Sequence, residues 1–409
     1  MGGRTIIIIG GGAAGLMAAC HAAGPGRRVQ LLERTADGGR KILISGGGRC
    51  NVLPSQLDER RYVTASSANT MRKILRSWPL ADQRAFFERD LELPLVVEPE
   101  TGKLFPIANR ARVVRDALLA AARSRGVDWQ PNTQVTDVYR EANRWFVTRA
   151  NGAPLSGDAV VLATGGLSVP ATGSDGFGLD LLARLHHTVH PVYPALAPLT
   201  LDPAEFADLA GVALTVRLTA HGAESRDVVG GFLFTHRGYS GPAVLDISDL
   251  PIRARLAGSA LPTLRVRWLD IPTSEWETRL APAGHHVATA VRERLPHRLA
   301  DRLVAMAGVA PGTMLSQLTR PTRLRLMQML TAFPLPFSGD EGYKKAEVTG
   351  GGLALDEVHV RTLESRMHPG LFIAGEALDA FGPIGGYNFV WAWTTGRLAG
   401  LGATAHPLP

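Results

Sequence analysis

The fold of this chain is decided by the run Thr5-Ile6-Ile7-Ile8-Ile9-Gly10-Gly11-Gly12-Ala13-Ala14-Gly15-Leu16-Met17-Ala18-Ala19-Cys20. Its β-branched start predicts a buried parallel strand, and its Ala-rich end predicts a helix. Between them lies a G-x-G-x-x-G turn, which the spacing distinguishes from an ordinary strand–turn–helix connection. The pattern predicts a dinucleotide site whose pyrophosphate is held by Gly10, Gly12, Ala13, Ala14 and Gly15.

A second predicted strand, Arg28 to Leu32, leads to an acid at the expected distance. Glu33 lies 18 residues after Gly15, where a carboxylate accepts hydrogen bonds from the adenosine ribose. A carboxylate at this point favours an unphosphorylated ribose, and therefore FAD or NAD over NADP. We expect Glu33 and its neighbour Arg34 to belong to the cofactor site.

A second glycine-rich segment runs from Gly38 to Asn51. It is too polar for a core, so we expect a loop that lays backbone amides and cations along a long anionic cofactor. A simple NAD-binding fold does not need such a loop. The segment therefore favours FAD over NAD.

The other end of the chain carries a matching pattern. Residues 370–379 predict a buried strand that ends in glycine and an acid, and Gly385-Gly386-Tyr387-Asn388 then opens an apolar helix. A helix N-terminus carries a partial positive charge. Aimed at the N1–C2 carbonyl edge of an isoalloxazine ring, it would stabilise the anionic reduced flavin. A plain turn at the two glycines is the alternative interpretation.

Length and composition limit the class of protein. A chain of 409 residues is too long for one ordinary core, and 45% hydrophobic with 20% charged residues excludes a largely disordered protein. Two cysteines cannot build a disulfide framework. No stretch reaches the roughly 18 apolar residues of a membrane span. We therefore expect a cytoplasmic protein with no membrane partner.

These motifs resemble those of a bacterial FAD-binding family labelled aminoacetone-oxidase-like, or NAD(FAD)-utilising dehydrogenases. The resemblance spans nearly the whole chain in the family's order. It is weakest between residues 251 and 330. The matching segments are Gly39-Arg40-Lys41, Ser45-Gly46-Gly47-Gly48-Arg49-Cys50-Asn51, Leu162-Ala163-Thr164-Gly165-Gly166, Gly173-Ser174-Asp175-Gly176, Leu233-Phe234-Thr235-His236, Ser240-Gly241-Pro242, Val348-Thr349-Gly350-Gly351-Gly352, Gly375-Glu376 and Gly385-Gly386-Tyr387-Asn388.

The resemblance implies an α/β fold: a glutathione-reductase-like Rossmann FAD domain with an inserted β-rich plus helical domain. It implies FAD as the cofactor. The sequence contains no second G-x-G-x-x-G for a nicotinamide domain, so we expect NAD(P)H to dock transiently on the flavin, or another donor to serve. Val135 is the implied adenine contact. The implied flavin contacts are Arg40, Lys41, Ser45, Gly47, Arg49, Cys50, Asn51, Thr164, Gly165, Gly375, Glu376, Gly385, Gly386, Tyr387, Asn388 and Phe389.

Two proline-rich segments, Pro191 to Pro203 and Pro334 to Gly342, predict where the chain enters and leaves the inserted domain. The predicted domains are a discontinuous FAD domain (1–193 and 343–409), a β-rich insertion (194–272) and a helical, basic insertion (273–342).

Positive charge concentrates in residues 251–330. This window holds twelve Arg, no Lys and five acids, a net charge of +7 that equals the net charge of the whole chain. A solvated Arg-rich helical face is one interpretation, and a polyanion partner is the other. Some relatives in the family that the chain resembles are similar to ribosomal-RNA dihydrouridine synthases, an activity that would suit the interpretation of a polyanion partner. Few aromatic residues are available there for base stacking.

The predicted function is a FAD-dependent oxidoreductase that transfers hydride to or from a small-molecule substrate held between the FAD domain and the insertion. An rRNA dihydrouridine synthase and a non-enzymatic FAD-binding protein are the alternatives. The catalytic candidates are Cys50, as a general acid or a packing residue, His236, as a substrate contact or a buried histidine, and Tyr239. Cys50 has no nearby cysteine partner for dithiol chemistry, and no His/Cys cluster has metal-binding spacing, so we expect no metal.

Overall fold

The computed structural model describes residues 3–407. The chain forms two compact units. The discontinuous unit comprises Met1–Pro194 and Glu347–Pro409, and the inserted unit comprises Ala195–Ala346.

The elements are numbered in chain order. The α-helices are α1 (Ala13–Ala22), α2 (Arg40–Gly48), α3 (Ala68–Arg76), α4 (Leu80–Ala85), α5 (Ala111–Ser124), α6 (Phe177–Arg184), α7 (Pro242–Leu245), α8 (Asp249–Leu256), α9 (Thr273–Arg279), α10 (Val287–Arg292), α11 (His297–Met306), α12 (Arg320–Thr331) and α13 (Tyr387–Ala405). The strands are β1 (Arg4–Ile9), β2 (Arg27–Leu32), β3 (Leu53–Pro54), β4 (Leu95–Glu98), β5 (Lys103–Pro106), β6 (Asp128–Gln130), β7 (Val135–Glu141), β8 (Arg144–Arg149), β9 (Leu155–Gly157), β10 (Ala159–Leu162), β11 (Val189–Ala195), β12 (Leu199–Thr200), β13 (Ala213–His221), β14 (Arg226–Thr235), β15 (Gly238–Ser240), β16 (Thr263–Arg267), β17 (Phe333–Pro334), β18 (Gly339–Asp340), β19 (Val348–Leu353) and β20 (Leu371–Ile373).

A five-stranded parallel sheet, in the order β20-β10-β1-β2-β6, lies at the centre of the discontinuous unit. The isoleucines of β1 are buried because β1 is a central strand with covered faces. Ile9 lies opposite both Leu162 and Leu32, so three strands end together at one edge of the sheet. Ligands of open parallel sheets bind at this edge. The predicted α/β, Rossmann-type architecture is confirmed.

Helices α1 and α13 pack against each other with almost no side chain between them. A methyl group added at Gly396 would overlap the carbonyl oxygen of Ala14, and one added at Gly400 would overlap that of Ala18. The glycines therefore let two backbones approach more closely than any other residue type permits. This contact joins the first helix of the discontinuous unit to its last.

Smaller elements complete this unit. Residues 93–105 predict a hairpin that turns at Glu98-Pro99-Glu100-Thr101-Gly102. The structure confirms it as β4 and β5, which form a three-stranded sheet with β3. Strands β7, β8 and β9 form a second antiparallel sheet. The expected loop from Gly38 to Asn51 is wrong for its first part, because α2 begins at Arg40. The chain leaves helical geometry from Ser45 to Gly48.

The inserted unit is a seven-stranded sheet, in the order β17-β16-β13-β14-β15-β12-β18, with α7 to α12. Its core is aromatic: the rings of Phe234 and Trp268 stack at 5.6 Å between centroids, and Phe232 and Phe333 also contact Trp268. Strands β17 and β18 come from the end of the segment and return the chain to the sheet after α12. Both sheet and helices therefore share one core.

Among residues 3–407, no helix is both long enough and apolar enough to cross a membrane.

The α1–α13 contact predicts that one glycine-to-alanine substitution in a helix destabilises the protein, where such a substitution ordinarily stabilises it. Glycine to alanine within a helix ordinarily stabilises by about 0.5–1 kcal/mol. Gly400→Ala should instead lower the free energy of unfolding by about 1–3 kcal/mol, because the added methyl group overlaps Ala18. Urea unfolding of the cofactor-free protein measures the change. Gly284→Ala, in the segment between α9 and α10, is a control for the added methyl group alone, since no atom lies within 4 Å of it there. A stabilised Gly400→Ala would contradict the packing described.

Candidate cofactor site

The turn after β1 separates glycines that are fixed by packing from one that faces open space. The amide of Gly10 donates to the carbonyl of Leu32 at 2.8 Å, and a methyl group at Gly15 would overlap the carbonyl oxygen of Gly10. Gly12 differs, because no atom lies within 4 Å of a methyl group built there. Gly12 also directly precedes α1, whose first amides have no partner inside the helix. The open space at a helix N-terminus fits a pyrophosphate.

Glu33 is buried at the end of β2 and its carboxylate is held in place. Oε2 accepts from the Gly11 amide at 2.8 Å, and Oε1 accepts from the Thr35 amide at 2.7 Å and hydroxyl at 2.6 Å. Each oxygen has two lone pairs, so Oε2 retains one for a ribose hydroxyl. Arg34 is instead paired with Asp175, which neutralises its charge.

Trp129 lies beside this carboxylate, and sequence reasoning missed it. The edge of its indole ring lies 2.7 Å from the positions that methyl groups would take at Gly11 and at Gly38. The ring therefore rests on the backbone of the first turn and of the second glycine-rich segment. Its position on β6, next to β2, was not apparent in the sequence because β6 is far from β2 along the chain.

The cations of the second segment are already partnered. Arg40 binds Asp37 at 2.8 Å, and Arg49 binds Glu98 at 2.8 Å while it lies 4.2 Å from the centroid of the Phe105 ring. These contacts leave both arginines without the free charge that the sequence suggested for them. They anchor the segment to its neighbours.

Lys41 belongs to a network that joins four elements at the same edge of the sheet. Its ammonium donates to Glu376 Oε2 at 2.7 Å and to the Ser168 hydroxyl at 2.5 Å. Ser168 donates to Glu376 Oε1 at 2.6 Å, and the Thr349 amide donates to the same oxygen at 2.9 Å. Ser168 and Thr349 were not predicted as cofactor contacts, although Thr349 lies within one of the segments that carried the family resemblance and Ser168 lies two residues after another.

The network controls the charge of Glu376. Burial by itself raises the pKa of this carboxyl group. The charge and hydrogen bond of Lys41, together with the hydrogen bonds of Ser168 and Thr349, outweigh the effect of burial. The net result is a pKa below the ordinary value. Glu376 is therefore an ionised group inside the protein, held ready to accept a hydrogen bond.

Two buried polar atoms at predicted cofactor contacts have no hydrogen-bond partner among the described residues. They are Asn51 Oδ1 and Thr164 Oγ1. Buried polar atoms nearly always have a partner, and a flavin cofactor carries hydroxyl, imide and carbonyl groups that supply one. Gly386 lies against Asn51 Oδ1 and against the backbone of Leu53. The unsatisfied atoms and the open space at Gly12 fit FAD.

The N-terminus of α13 offers backbone amides, and its side chains have other tasks. The Asn388 amide group binds the backbone of Gly382 through two contacts of 2.9 Å, and Phe389 stacks on Trp393 at 5.1 Å. The Tyr387 hydroxyl accepts from the Asp58 amide at 3.3 Å. These three side chains fix the backbone of the Gly385–Gly386 turn.

Gly375 brings the end of β20 to α1. A methyl group there would lie 2.9 Å from the side chain of Ala14, and the Gly375 carbonyl accepts from the Trp391 indole at 3.1 Å. Three further predicted contacts have local features of their own: Gly165 has a left-handed backbone, Ser45 donates to the carbonyl of Ile42, and Val135 is buried at the start of β7. Gly47 is open, with no atom near an added methyl group.

Cys50 is unsuited to acid catalysis in this structure. Its side chain is completely buried, and burial raises the pKa of the thiol to about 12. A group with so high a pKa is a weak proton donor near neutral pH. The packing interpretation of Cys50 fits its environment better.

The two catalytic candidates in the inserted unit, His236 and Tyr239, differ in their exposure to solvent. His236 is exposed, so the buried-histidine alternative is wrong and its imidazole is free to meet solvent or a ligand. Tyr239 is completely buried beside Phe232 and Phe234, and its hydroxyl has no partner among the described residues. Tyr239 is a core residue in this structure and does not contact a substrate from the surface.

One constellation imitates a hydrolytic triad. His187 Nδ1 lies 2.5 Å from Glu357, and its Nε2 lies 3.1 Å from the Ser365 hydroxyl. Ser365 is 2% exposed and accepts from the amides of Met367 and His368. A buried hydroxyl occupied in this way cannot attack a substrate, so the cluster is a structural tether.

Comparison with known proteins agrees with this site. The model of the "HI0933-like protein Rossmann domain" matches residues 4–402. The chain belongs to this family. It is 34% identical over 401 residues to a ribosomal RNA dihydrouridine synthase of Escherichia coli K12, covering 95% of both chains. It is 31% identical over 416 residues to a 3-dehydro-bile acid delta(4,6)-reductase of Clostridium scindens, covering 99% of this chain and 100% of the relative.

A solved structure shares the fold. The 3-ketosteroid delta1-dehydrogenase of Sterolibacterium denitrificans superposes with a TM-score of 0.51 at 13% identity, over 98% of this chain and 100% of that one. The family and the site place the chain among the FAD-dependent oxidoreductases. The finer label of the resemblance, aminoacetone-oxidase-like, is not confirmed by these relatives.

No group of three or more His, Cys, Asp or Glu side chains in the described part of the chain, residues 3–407, could hold a metal ion.

The open space at Gly12 predicts a variant that folds and does not bind the cofactor. Gly12 has an extended backbone that alanine also adopts, and its methyl group meets no protein atom. Gly12→Ala should therefore leave the unfolding free energy of the cofactor-free protein within about 0.5 kcal/mol of wild type. The methyl group would occupy the pyrophosphate space, and we expect FAD affinity to fall at least tenfold, measured by flavin fluorescence titration. Gly15→Ala is the contrast, because it should destabilise the fold itself. Normal FAD affinity of Gly12→Ala would contradict the site.

The Lys41–Glu376 pair predicts a pH-dependent stability. The lowered pKa of Glu376 contributes stability above the ordinary carboxyl pKa of 4.5, and this is lost as pH falls through the folded-state pKa. In Lys41→Met, burial dominates and the pKa rises, so the carboxylate destabilises the variant as pH increases. We expect a deficit of roughly 3 kcal/mol at pH 7 that shrinks toward pH 4, measured by urea unfolding. Adding Glu376→Gln should restore part of it. A deficit independent of pH would contradict this account.

Proposed function

We propose that this protein is a FAD-dependent reductase of a carbon–carbon double bond conjugated to a carbonyl group, and that its substrate is uridine in ribosomal RNA. The support is the agreement of two relatives that align over 95% or more of this chain. The name of one describes conversion of uridine to dihydrouridine, and that of the other describes reduction of double bonds in a 3-dehydro-bile acid. Uracil and a 3-keto bile acid share the conjugated carbonyl that makes the distant carbon electrophilic.

The proposed reaction balances in two electrons and two hydrogens. Uracil C6, which is conjugated to the C4 carbonyl, accepts a hydride, and C5 accepts a proton, so the C5–C6 π bond is replaced by two C–H bonds. FAD, when bound and reduced, supplies the hydride. NAD(P)H is the proposed source of the electrons and is oxidised to NAD(P)+. The electron donor is part of the proposal.

The roles of this chain's residues follow from the site. Gly10 to Gly15 would bind the pyrophosphate and Glu33 the ribose. Glu376, held ionised by Lys41, would accept a hydrogen bond from the cofactor, and Asn51 and Thr164 would use their unsatisfied oxygens in the same way. The amides at the start of α13 would stabilise negative charge on the reduced ring. These groups orient the cofactor at the edge of the sheet where substrates of parallel-sheet enzymes bind.

A small-molecule reductase is the second candidate, because one relative is named for a bile-acid substrate. The uridine proposal rests on a similar identity over a similar length. The relatives' names alone therefore do not separate the two candidates, and the experiment includes both substrates. A protein that holds FAD without catalysis is the third outcome that it distinguishes.

Unmodified ribosomal RNA transcripts and the purified holoenzyme provide the test. The enzyme is reduced anaerobically with NADH or NADPH, mixed with RNA, and the digested nucleosides are analysed by mass spectrometry. We expect uridine to gain 2 Da at a defined site, and Gly12→Ala, purified without FAD, to give none. Flavin reoxidised by a 3-keto-Δ4 bile acid and not by RNA would replace the proposal with the small-molecule reductase. Flavin that neither substrate reoxidises would favour the non-catalytic protein.

A further inference from the structure

Six of the twelve arginines of residues 251–330 have a carboxylate partner in the folded protein. Arg292 binds Asp301 at 2.6 Å, Arg294 binds Glu275 at 2.9 Å, and Arg279 binds Glu293 at 3.1 Å. Acids outside the window take part as well: Arg253 binds Glu224, Arg255 binds Asp340, and Arg302 binds Glu205. Over the whole inserted unit, 17 basic and 14 acidic residues leave a net charge of +3. The window of +7 is therefore not a uniformly basic surface.

Among residues 3–407, the other six arginines of the window have no carboxylate partner: Arg265, Arg267 and Arg298 are dispersed, and the remaining three lie together on α12. None of the ion pairs found among residues 3–407 includes Arg320, Arg323 or Arg325. The stretch from residue 302 to residue 339 contains no Asp or Glu at all. We call these three side chains the α12 arginines.

The contacts of the α12 arginines are to neutral oxygens. Arg323 donates to the Leu318 carbonyl at 3.3 Å, and Arg325 donates to the Ala307 carbonyl at 3.2 Å. Arg320 is exposed. A carbonyl oxygen orients a guanidinium group without cancelling its charge, and each guanidinium keeps further N–H donors. The helix that packs nearby, α9, carries Glu275, which is paired with Arg279 and Arg294, and Glu277, which is exposed.

The position of these three arginines near the N-terminus of α12 strengthens the local positive potential. The α12 arginines lie in the first half of a twelve-residue helix, so the partial positive charge of the helix N-terminus has the same sign as their own. Arg320 and Arg323 are three residues apart, so their Cβ atoms lie about 5–6 Å apart and their guanidinium groups can meet successive phosphates of one strand. Arg325 lies two residues after Arg323 and adds its charge from a different face of the helix. Planar guanidinium forks match phosphate oxygens in pairs.

We propose that the α12 arginines bind the phosphate backbone of the RNA substrate. This inference rests on the proposed function, because it names the surface through which that substrate is held. It assigns binding to α12, and it excludes the arginines of α9, α10 and the segment that follows α10, whose charges are already paired. Backbone contacts of this kind position RNA without reading its sequence.

The test compares two triple variants that remove the same charge. The α12 variant is Arg320→Gln/Arg323→Gln/Arg325→Gln, and the control is Arg279→Gln/Arg292→Gln/Arg294→Gln. Both are purified as FAD holoenzymes, and melting temperature and flavin absorbance verify folding. Binding to an unmodified ribosomal RNA transcript is measured from 50 to 300 mM salt. Each phosphate contact contributes about 0.7–0.9 to the slope of log K against log salt.

We expect the α12 variant to bind RNA roughly 10- to 100-fold more weakly at 150 mM salt and to lose about 2–3 units of slope. The control should lose less than one unit. Turnover should show a higher KM for RNA in the α12 variant, with kcat and flavin reduction by NAD(P)H unchanged. Poly-glutamate of equal charge should compete poorly, because its carboxylates are not spaced as phosphates are.

Three results would overturn the inference: an unchanged slope in the α12 variant, an equal loss in both variants, or equal competition by poly-glutamate. Failure of the proposed function has a different signature. In that case the wild-type enzyme forms no dihydrouridine, whatever the two variants do to RNA binding. If the wild-type enzyme forms dihydrouridine and the α12 variant binds RNA as wild type does, the proposed function stands and only the assignment of RNA binding to α12 is wrong.

Discussion

Helix α1 has no room for side chains on two of its sides, and the discontinuous unit is organised around this constraint. On one side Gly15 lies on the carbonyl of Gly10, and on another Gly396 and Gly400 of α13 lie on the backbone of α1. A helix held by backbone contacts cannot shift along its axis without overlap, since nothing between the backbones can yield. The N-terminus of α1 is therefore fixed relative to β1, and the open space at Gly12 is fixed with it.

The same edge of the sheet collects polar groups from segments that are far apart in the chain. Lys41 follows β2, Ser168 follows β10, Thr349 belongs to β19 and Glu376 follows β20. Parallel strands that end together bring the segments of Lys41, Ser168 and Glu376 into hydrogen-bond contact, and β19, which pairs with β11 in a separate sheet, adds Thr349. The unsatisfied oxygens of Asn51 and Thr164 cost stability unless they are partnered. A bound cofactor would supply the missing partners, so the groups that destabilise the cofactor-free protein would favour binding of the cofactor.

Charge in the inserted unit shows how folding redistributes what composition suggests. The sequence window of 251–330 is strongly basic, yet ion pairs with acids such as Glu224, Asp340 and Glu205 neutralise part of it. Those acids lie outside the window, so counting along the chain could not include them. Surface charge that remains after pairing is confined to fewer places, of which α12 is the clearest. The net charge counted along a segment of sequence therefore overstates the area of unpaired positive surface that a polyanion could contact.

The sequence by itself determined the first strand, the glycine turn, α1, the following strand with Glu33, the β4–β5 hairpin and the glycine start of α13. Each is a local pattern: hydrophobic periodicity, glycine spacing and a terminal acid are visible within a few residues of one another. Only the tertiary structure decided that Arg34, Arg40 and Arg49 have carboxylate partners, that Cys50 and Tyr239 are buried, and that Trp129, Ser168 and Thr349 join the site. Pairing and burial depend on residues brought together from distant parts of the chain, and no local pattern records which residues those are.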